Sequence, residues 1–105
     1  MAWIMLFVAG LFEIVWAYAM KQSEGFSRLW PTAITLVAMA ISFLLLAAAM
    51  RTIPLGTAYT IWTGIGAVGA FVVGVTLLGE QLSLMRVIAA LLIVSGLLLM
   101  KLASH

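Results

Sequence analysis

The spacing of the charged residues is the feature that most restricts the fold of this chain. Only eight of its 105 residues are charged, five Lys or Arg and three Asp or Glu. They leave apolar stretches that each approach the roughly 20 residues of a membrane-spanning helix. Soluble domains carry about 25% charged residues, whereas this chain has 8% and is 67% hydrophobic. We therefore predict an integral membrane protein. The charged positions are Glu13, Lys21, Glu24, Arg28, Arg51, Glu80, Arg86 and Lys101.

The fold class predicted from this spacing is all-α, with four transmembrane helices at about residues 2–20, 30–50, 56–78 and 85–102. Together they form one transmembrane domain over residues 1–105. Gly25 can end the first helix with a positive φ, Pro31 suits the first turn of the second, and Ser83 can cap the fourth. The short connections predict that sequential helices are antiparallel neighbours.

Several function classes are excluded by composition and context. The net charge of +2 comes from a few cations between helices, so nucleic acid is not a predicted partner. The chain has no cysteine and hence no thiol chemistry. The GxGxxG match at Gly64 to Gly69 lies within a membrane span and lacks the strand that a dinucleotide site requires. We predict no cofactor, no metal site and no enzymatic activity.

The first apolar stretch ends in Ala17-Tyr18-Ala19, which resembles a signal-peptide cleavage site. No Lys or Arg precedes this stretch, Glu13 interrupts it, and the downstream sequence is equally apolar. We therefore expect helix 1 to be retained.

Lys and Arg are distributed almost evenly between the two ends of the predicted bundle. Residues 21, 28 and 86 fall at one end, and residues 51 and 101 at the other. So small a bias permits insertion in both orientations, but a single extra cation can also fix one topology. The sequence leaves both alternatives open.

Glu13 is a carboxylate near the middle of the first span. An ionised side chain at this depth costs at least ~2.5–3.5 kcal/mol and marks a functional site by default. Lys21 is eight residues away, about 12 Å along a helix, and cannot easily neutralise Glu13. The site can hold a proton or a cation but not both comfortably, which predicts proton/cation exchange. The alternative is a protonated Glu13 in an interhelical hydrogen bond.

Helical spacing places polar, aromatic and small residues beside Glu13. Hydroxyl groups can orient a carboxylate, and aromatic faces can bind a delocalised cation. Trp3 and Trp30 lie at helix ends and are expected to be interface anchors. Ser42 can alternatively bond to its own helix, and Tyr59 can be an interface residue. The stripes are Ala9, Gly10, Glu13, Trp16 and Ala17; Thr35, Met39 and Ser42; and Tyr59, Trp62, Thr63 and Gly66.

The third helix is rich in glycine. Gly66, Ala70 and Gly74 form a ridge of small residues that permits close helix packing. We also expect the glycines at positions 64, 66 and 69 to let the helix bend during transport.

Four helices with one internal carboxylate can scarcely enclose a gated cavity, whereas two copies can. Transporters commonly bind substrate at mid-depth between inverted repeats, and two copies in opposite orientations would create that arrangement. Ser95 and Gly96 offer a close-packing patch for dimer contact or for ordinary packing within the chain.

Two segments together resemble the small multidrug resistance family, specifically its guanidinium-exporter branch. They are FEIVWAYAMKQSEGFSR at 12–28 and PLGTAYTIWTGIGAVGA at 54–70. Trp16 favours that branch over the multidrug branch, which has a small residue there. Met20, Gln81 and Leu82 depart from common family forms outside the predicted site.

The resemblance implies an antiparallel, dual-topology homodimer in a bacterial inner membrane that exchanges protons for a cation. By position, it assigns the central glutamate to Glu13 and the other binding residues to Trp16, Ser42, Tyr59 and Trp62. Guanidinium is planar and can pair with a carboxylate through two hydrogen bonds. We expect export of guanidinium or small substituted guanidiniums, with up to two protons exchanged for one cation.

Three other functions remain as alternatives. A multidrug exporter of quaternary ammonium or hydrophobic cations would also suit the aromatic residues. A non-transporting membrane subunit could act as a scaffold for a partner. A lipid-carrier flippase would need a site for an anionic head group, whereas the internal charge here is negative.

Overall fold

The computed structural model describes residues 1–103, which form four α-helices. They are α1 (Ala2–Gln22), α2 (Leu29–Ala49), α3 (Leu55–Leu77) and α4 (Leu84–Ala103). All four are long and apolar enough to cross a membrane. This confirms the predicted four-span, all-α fold. Ser104 and His105, the last residues of the predicted domain, lie outside the described residues.

The turns contain the predicted local signals. Gly25 has a φ of 74° in the first turn, where Glu24 and Phe26 also have positive φ. The buried Ser23 hydroxyl closes this turn by donating to Met20 O (2.6 Å) and accepting from Phe26 N (3.0 Å). At the start of α4, Ser83 Oγ accepts a hydrogen bond from Arg86 N (3.2 Å), as predicted for a helix cap.

The helices are not arranged in their order along the chain. α1 packs against both α2 and α3, α4 packs against α3, and α2 makes few contacts with α3. The prediction that sequential helices are neighbours is therefore wrong for α2 and α3. The buried core lies among α1, α2 and α3 and includes Leu6, Ala9, Ala49, Ala58, Ile61 and Trp62.

The molecule is flat, with extents of 43 × 34 × 16 Å. The shortest extent is less than half of either of the other two. None of the residues of α4, from Leu84 to Ala103, is buried. The four helices thus form a slab with large apolar surfaces.

Candidate functional site

Glu13 lies where α1 crosses the glycine-rich face of α3. Its carboxyl group lies directly over Gly66, and a Cβ added to Gly66 would overlap that group. Gly66 is itself buried. The missing side chain of Gly66 therefore provides the space that the Glu13 carboxyl group occupies.

The Glu13 carboxyl group has an unused acceptor. Its Oε1 is buried and has no hydrogen-bond partner among the described residues. A buried polar atom without a partner is costly and requires an explanation. Here the atom lies inside a membrane span, where a proton, a cation or another subunit could supply the partner.

Trp16 places an unused donor on the same face of α1. It follows Glu13 by three residues, a spacing that puts both side chains on one helix face. Trp16 Nε1 is also buried without a hydrogen-bond partner among the described residues. One side of α1 thus presents an acceptor and a donor that residues 1–103 do not pair.

Ser42 links three helices through two hydrogen bonds. Its hydroxyl donates to Ala9 O on α1 (2.7 Å) and accepts from Trp62 Nε1 on α3 (2.9 Å). The alternative that Ser42 bonds to its own helix is therefore wrong. Because its hydrogen is directed to Ala9, Ser42 in this arrangement holds Trp62 and does not donate to Glu13.

An aromatic wall extends beside these residues. Its ring centroids are 6.4 Å apart for Trp16 and Phe43, 5.8 Å for Phe43 and Trp62, and 5.6 Å for Tyr59 and Trp62. Trp62 is 7% exposed and Tyr59 is 53% exposed, so the wall runs from the core to the surface of the slab. Such faces can bind a cation or the apolar part of a ligand.

Phe43 lies in the middle of this wall and is not among the residues predicted from the sequence. A signal was present, because Phe43 follows Met39 by four residues and so belongs to the predicted stripe on α2. Phe43 is 47% exposed. Which aromatic rings it contacts depends on how α2 is rotated against α1.

Other predicted residues lie at helix contacts. A Cβ on Gly10 would lie 2.6 Å from Ile65 Cγ2, and those on Gly64 and Gly69 would overlap Leu97 and Ile14. These glycines therefore let α3 approach α1 and α4 closely. Thr35 is buried and donates to Pro31 O (2.8 Å) within its own helix.

The fold and site define a multi-pass membrane protein with an acidic site inside its spans. Residues 1–93 match the family model described as Small Multidrug Resistance protein. The chain therefore belongs to the Small Multidrug Resistance family.

The relatives include proteins named Guanidinium exporter. The chain is 58% identical over 104 residues to that of Yersinia pseudotuberculosis serotype I, covering 99% of this chain and 100% of the relative. It is 55% identical to that of Salmonella typhimurium strain LT2 and 53% identical to that of Escherichia coli strain K12. Both of these alignments span 105 residues and 100% of each chain.

Proposed function

We propose that this chain is a proton-coupled antiporter that exports guanidinium and small substituted guanidiniums across a bacterial inner membrane. The observation on which this proposal rests is the buried Oε1 of Glu13 inside a membrane span, which has no hydrogen-bond partner among residues 1–103. At this depth a carboxyl group is stable when protonated or when paired with a cation. Competition between these two states couples proton entry to cation exit.

Guanidinium fits the unpaired groups on α1 and the names of the relatives. Its parallel N–H groups can bind both oxygens of one carboxylate, and its flat face can pack against the aromatic wall. Proteins named Guanidinium exporter align with 99–100% of this chain at 53–58% identity. These facts support guanidinium over a larger cation.

The working unit in this proposal is a homodimer of two chains in opposite orientations. A slab 16 Å thick cannot surround a cation at mid-depth, but two slabs that face each other can. Opposite orientations make the inward-open and outward-open forms equivalent by exchange of the two chains. With one Glu13 from each chain, up to two protons exchange for one cation.

The remaining site residues have separate roles in this mechanism. Trp16 supplies an N–H donor close to Glu13, while Ser42 and Trp62 keep α1, α2 and α3 in register. Tyr59 extends the wall towards the surface. We assign Gly10 to the close packing of α1 against α3. We assign the glycines at 64, 66 and 69 to close packing and to the bending of α3.

Proton-coupled guanidinium uptake into liposomes tests the proposal. Glu13→Gln removes the titratable group and should abolish the coupled uptake. Glu24→Gln is a matched control, because Glu24 is exposed in the first turn and should retain it. Full exchange by Glu13→Gln would refute the carboxylate mechanism, and no transport by the wild-type chain would favour a scaffold role.

The aromatic wall supports a second candidate, export of quaternary ammonium and hydrophobic cations. Three aromatic pairs with centroids at most 6.4 Å apart form a surface that would also suit such ligands. The same assay with tetraethylammonium separates the two functions. A preference for tetraethylammonium would assign the chain to multidrug export.

A further inference from the structure

A groove opens between α1, α2 and α3 near Arg28. It has a volume of about 420 Å³, and we call it the Arg28 groove. Arg28, which precedes α2, lines it together with Pro31 and Ile34 of α2 and Val73 and Leu77 of α3. Its α1 wall consists of residues between Ile14 and Gln22.

The Arg28 groove runs along the helices. On each helix its lining begins at one end of the bundle and continues towards mid-depth. Ile14 and Gln22 are eight residues apart, which corresponds to about 12 Å along α1. Apart from Arg28, Gln22 and the Tyr18 hydroxyl, its lining side chains are apolar, so the groove has the shape and chemistry to hold a length of acyl chain.

The polar end of the groove contains Arg28, a cation that forms no ion pair with an acidic side chain among residues 1–103. The Arg28 guanidinium donates to Gln22 O at 3.4 Å. The ion pair formed among residues 1–103 joins Arg86 to Glu80 and does not involve Arg28. An exposed arginine at the end of a membrane span, above an apolar groove, is complementary to a phosphate with a hydrocarbon tail.

We infer that the Arg28 groove is a binding site for an anionic phospholipid. The Arg28 guanidinium binds the lipid phosphate, and one acyl chain lies between α1, α2 and α3 down to Ile14. This site is separate from Glu13, which does not line the groove.

A second copy of the chain is the other possible occupant, and charge disfavours it. This comparison with a second copy rests on the proposed function, in which the two chains have opposite orientations. In that dimer the partner places its residues 51 and 101 at the depth of Arg28. Both of these partner residues are cations. The partner's three acidic residues, at 13, 24 and 80, lie at mid-depth or at its other end, away from Arg28. The partner therefore offers no acidic side chain for Arg28, whereas an anionic phospholipid offers its phosphate.

Native mass spectrometry of the full chain tests the inference in micelles containing equal amounts of phosphatidylglycerol and phosphatidylcholine with identical acyl chains. Both lipids carry a phosphate, but the choline group of phosphatidylcholine offsets the phosphate charge. One arginine near an anionic lipid contributes about 1 kcal/mol, which corresponds to about fivefold preference for phosphatidylglycerol. Arg28→Gln should abolish the preference. Arg51→Gln removes a cation at the opposite end and should retain it.

A second pair of variants tests the acyl-chain contact. Val73→Trp fills the groove and should reduce retention of both lipids. Val72→Trp places the same side chain at the adjacent position, which is 50% exposed and does not line the groove, and should leave retention unchanged.

Three results would overturn the inference: equal retention of the two lipids by the wild-type chain, an unchanged preference in Arg28→Gln, or dissociation of a dimer by Val73→Trp. The last would assign the groove to a second copy. Lipid retention is measured without guanidinium, and Glu13→Gln should retain lipid like the wild type. A failure here is therefore distinguishable from a failure of the proposed transport.

Discussion

At the scale of single residues, the contact between Glu13 and Gly66 determines where the carboxyl group can lie. Gly66→Ala adds a methyl group into the space of that carboxyl group. Because overpacking typically costs about 1–3 kcal/mol, we expect the Glu13 side chain to move and guanidinium exchange to fall about tenfold or more. The measurement is the initial rate of uptake into liposomes at equal protein content.

Gly56→Ala is the control for this variant, because it also adds a methyl group to α3. Apart from its chain neighbours and the backbone of its own helix, a Cβ on Gly56 has no atom of residues 1–103 within 4 Å, so transport should be unchanged. Equal rates for Gly66→Ala and the wild type would show that the position of the carboxyl group over Gly66 is not needed for exchange.

The sequence predicts which residues belong to the site better than it predicts their hydrogen-bond partners. Glu13 is recognisable because a carboxylate inside an apolar span is costly. The partners of Ser42 depend on the rotation and tilt of α1 and α3, which place Ala9 O and Trp62 Nε1 within 2.7 and 2.9 Å of its hydroxyl. No local pattern in the chain specifies those distances.

At the scale of the helices, Gly10 controls the separation of α1 and α3. A Cβ on Gly10 would lie 2.6 Å from Cγ2 and 2.8 Å from Cβ of Ile65, and the latter atom is fixed to the backbone. We expect Gly10→Ala to force the helices apart and destabilise the fold by about 1–3 kcal/mol. Unfolding by denaturant in detergent micelles measures this loss.

A double variant separates this contact from a general effect of alanine at position 10. Ile65→Ala removes Cγ2 and Cδ1, so the combined variant should lose less stability than the sum of the two single changes. Simple additivity would mean that Gly10 and Ile65 do not limit the approach of the helices.

The helix ends follow from local signals, whereas the helix order does not. Charged residues, Pro31 and Ser83 place the predicted starts within one residue of the observed ones and the ends within two. All four helices are apolar around most of their surface, so no face identifies the neighbour. The order α2, α1, α3, α4 depends instead on where small residues permit contact, such as Gly10 with Ile65.

At the scale of the whole molecule, the flat slab makes one chain insufficient for the proposed exchange. Glu13 Oε1 and Trp16 Nε1 have no partners among residues 1–103, and a facing copy would bring a second such pair to the same depth. If each Glu13 releases one proton when a guanidinium binds between them, two positive charges move in one direction for each one in the other. The cycle then transfers one net charge.

Mixed dimers of wild-type and Glu13→Gln chains test this count. Differently tagged copies can be co-expressed, isolated through both tags and placed in liposomes with an imposed voltage. One net charge gains about 2.3 kcal/mol per 100 mV, so the wild-type dimer should change its equilibrium guanidinium gradient about 50-fold per 100 mV. A mixed dimer exchanges one proton for one cation and should show no voltage dependence. Equal voltage dependence in both dimers would contradict a separate proton on each Glu13.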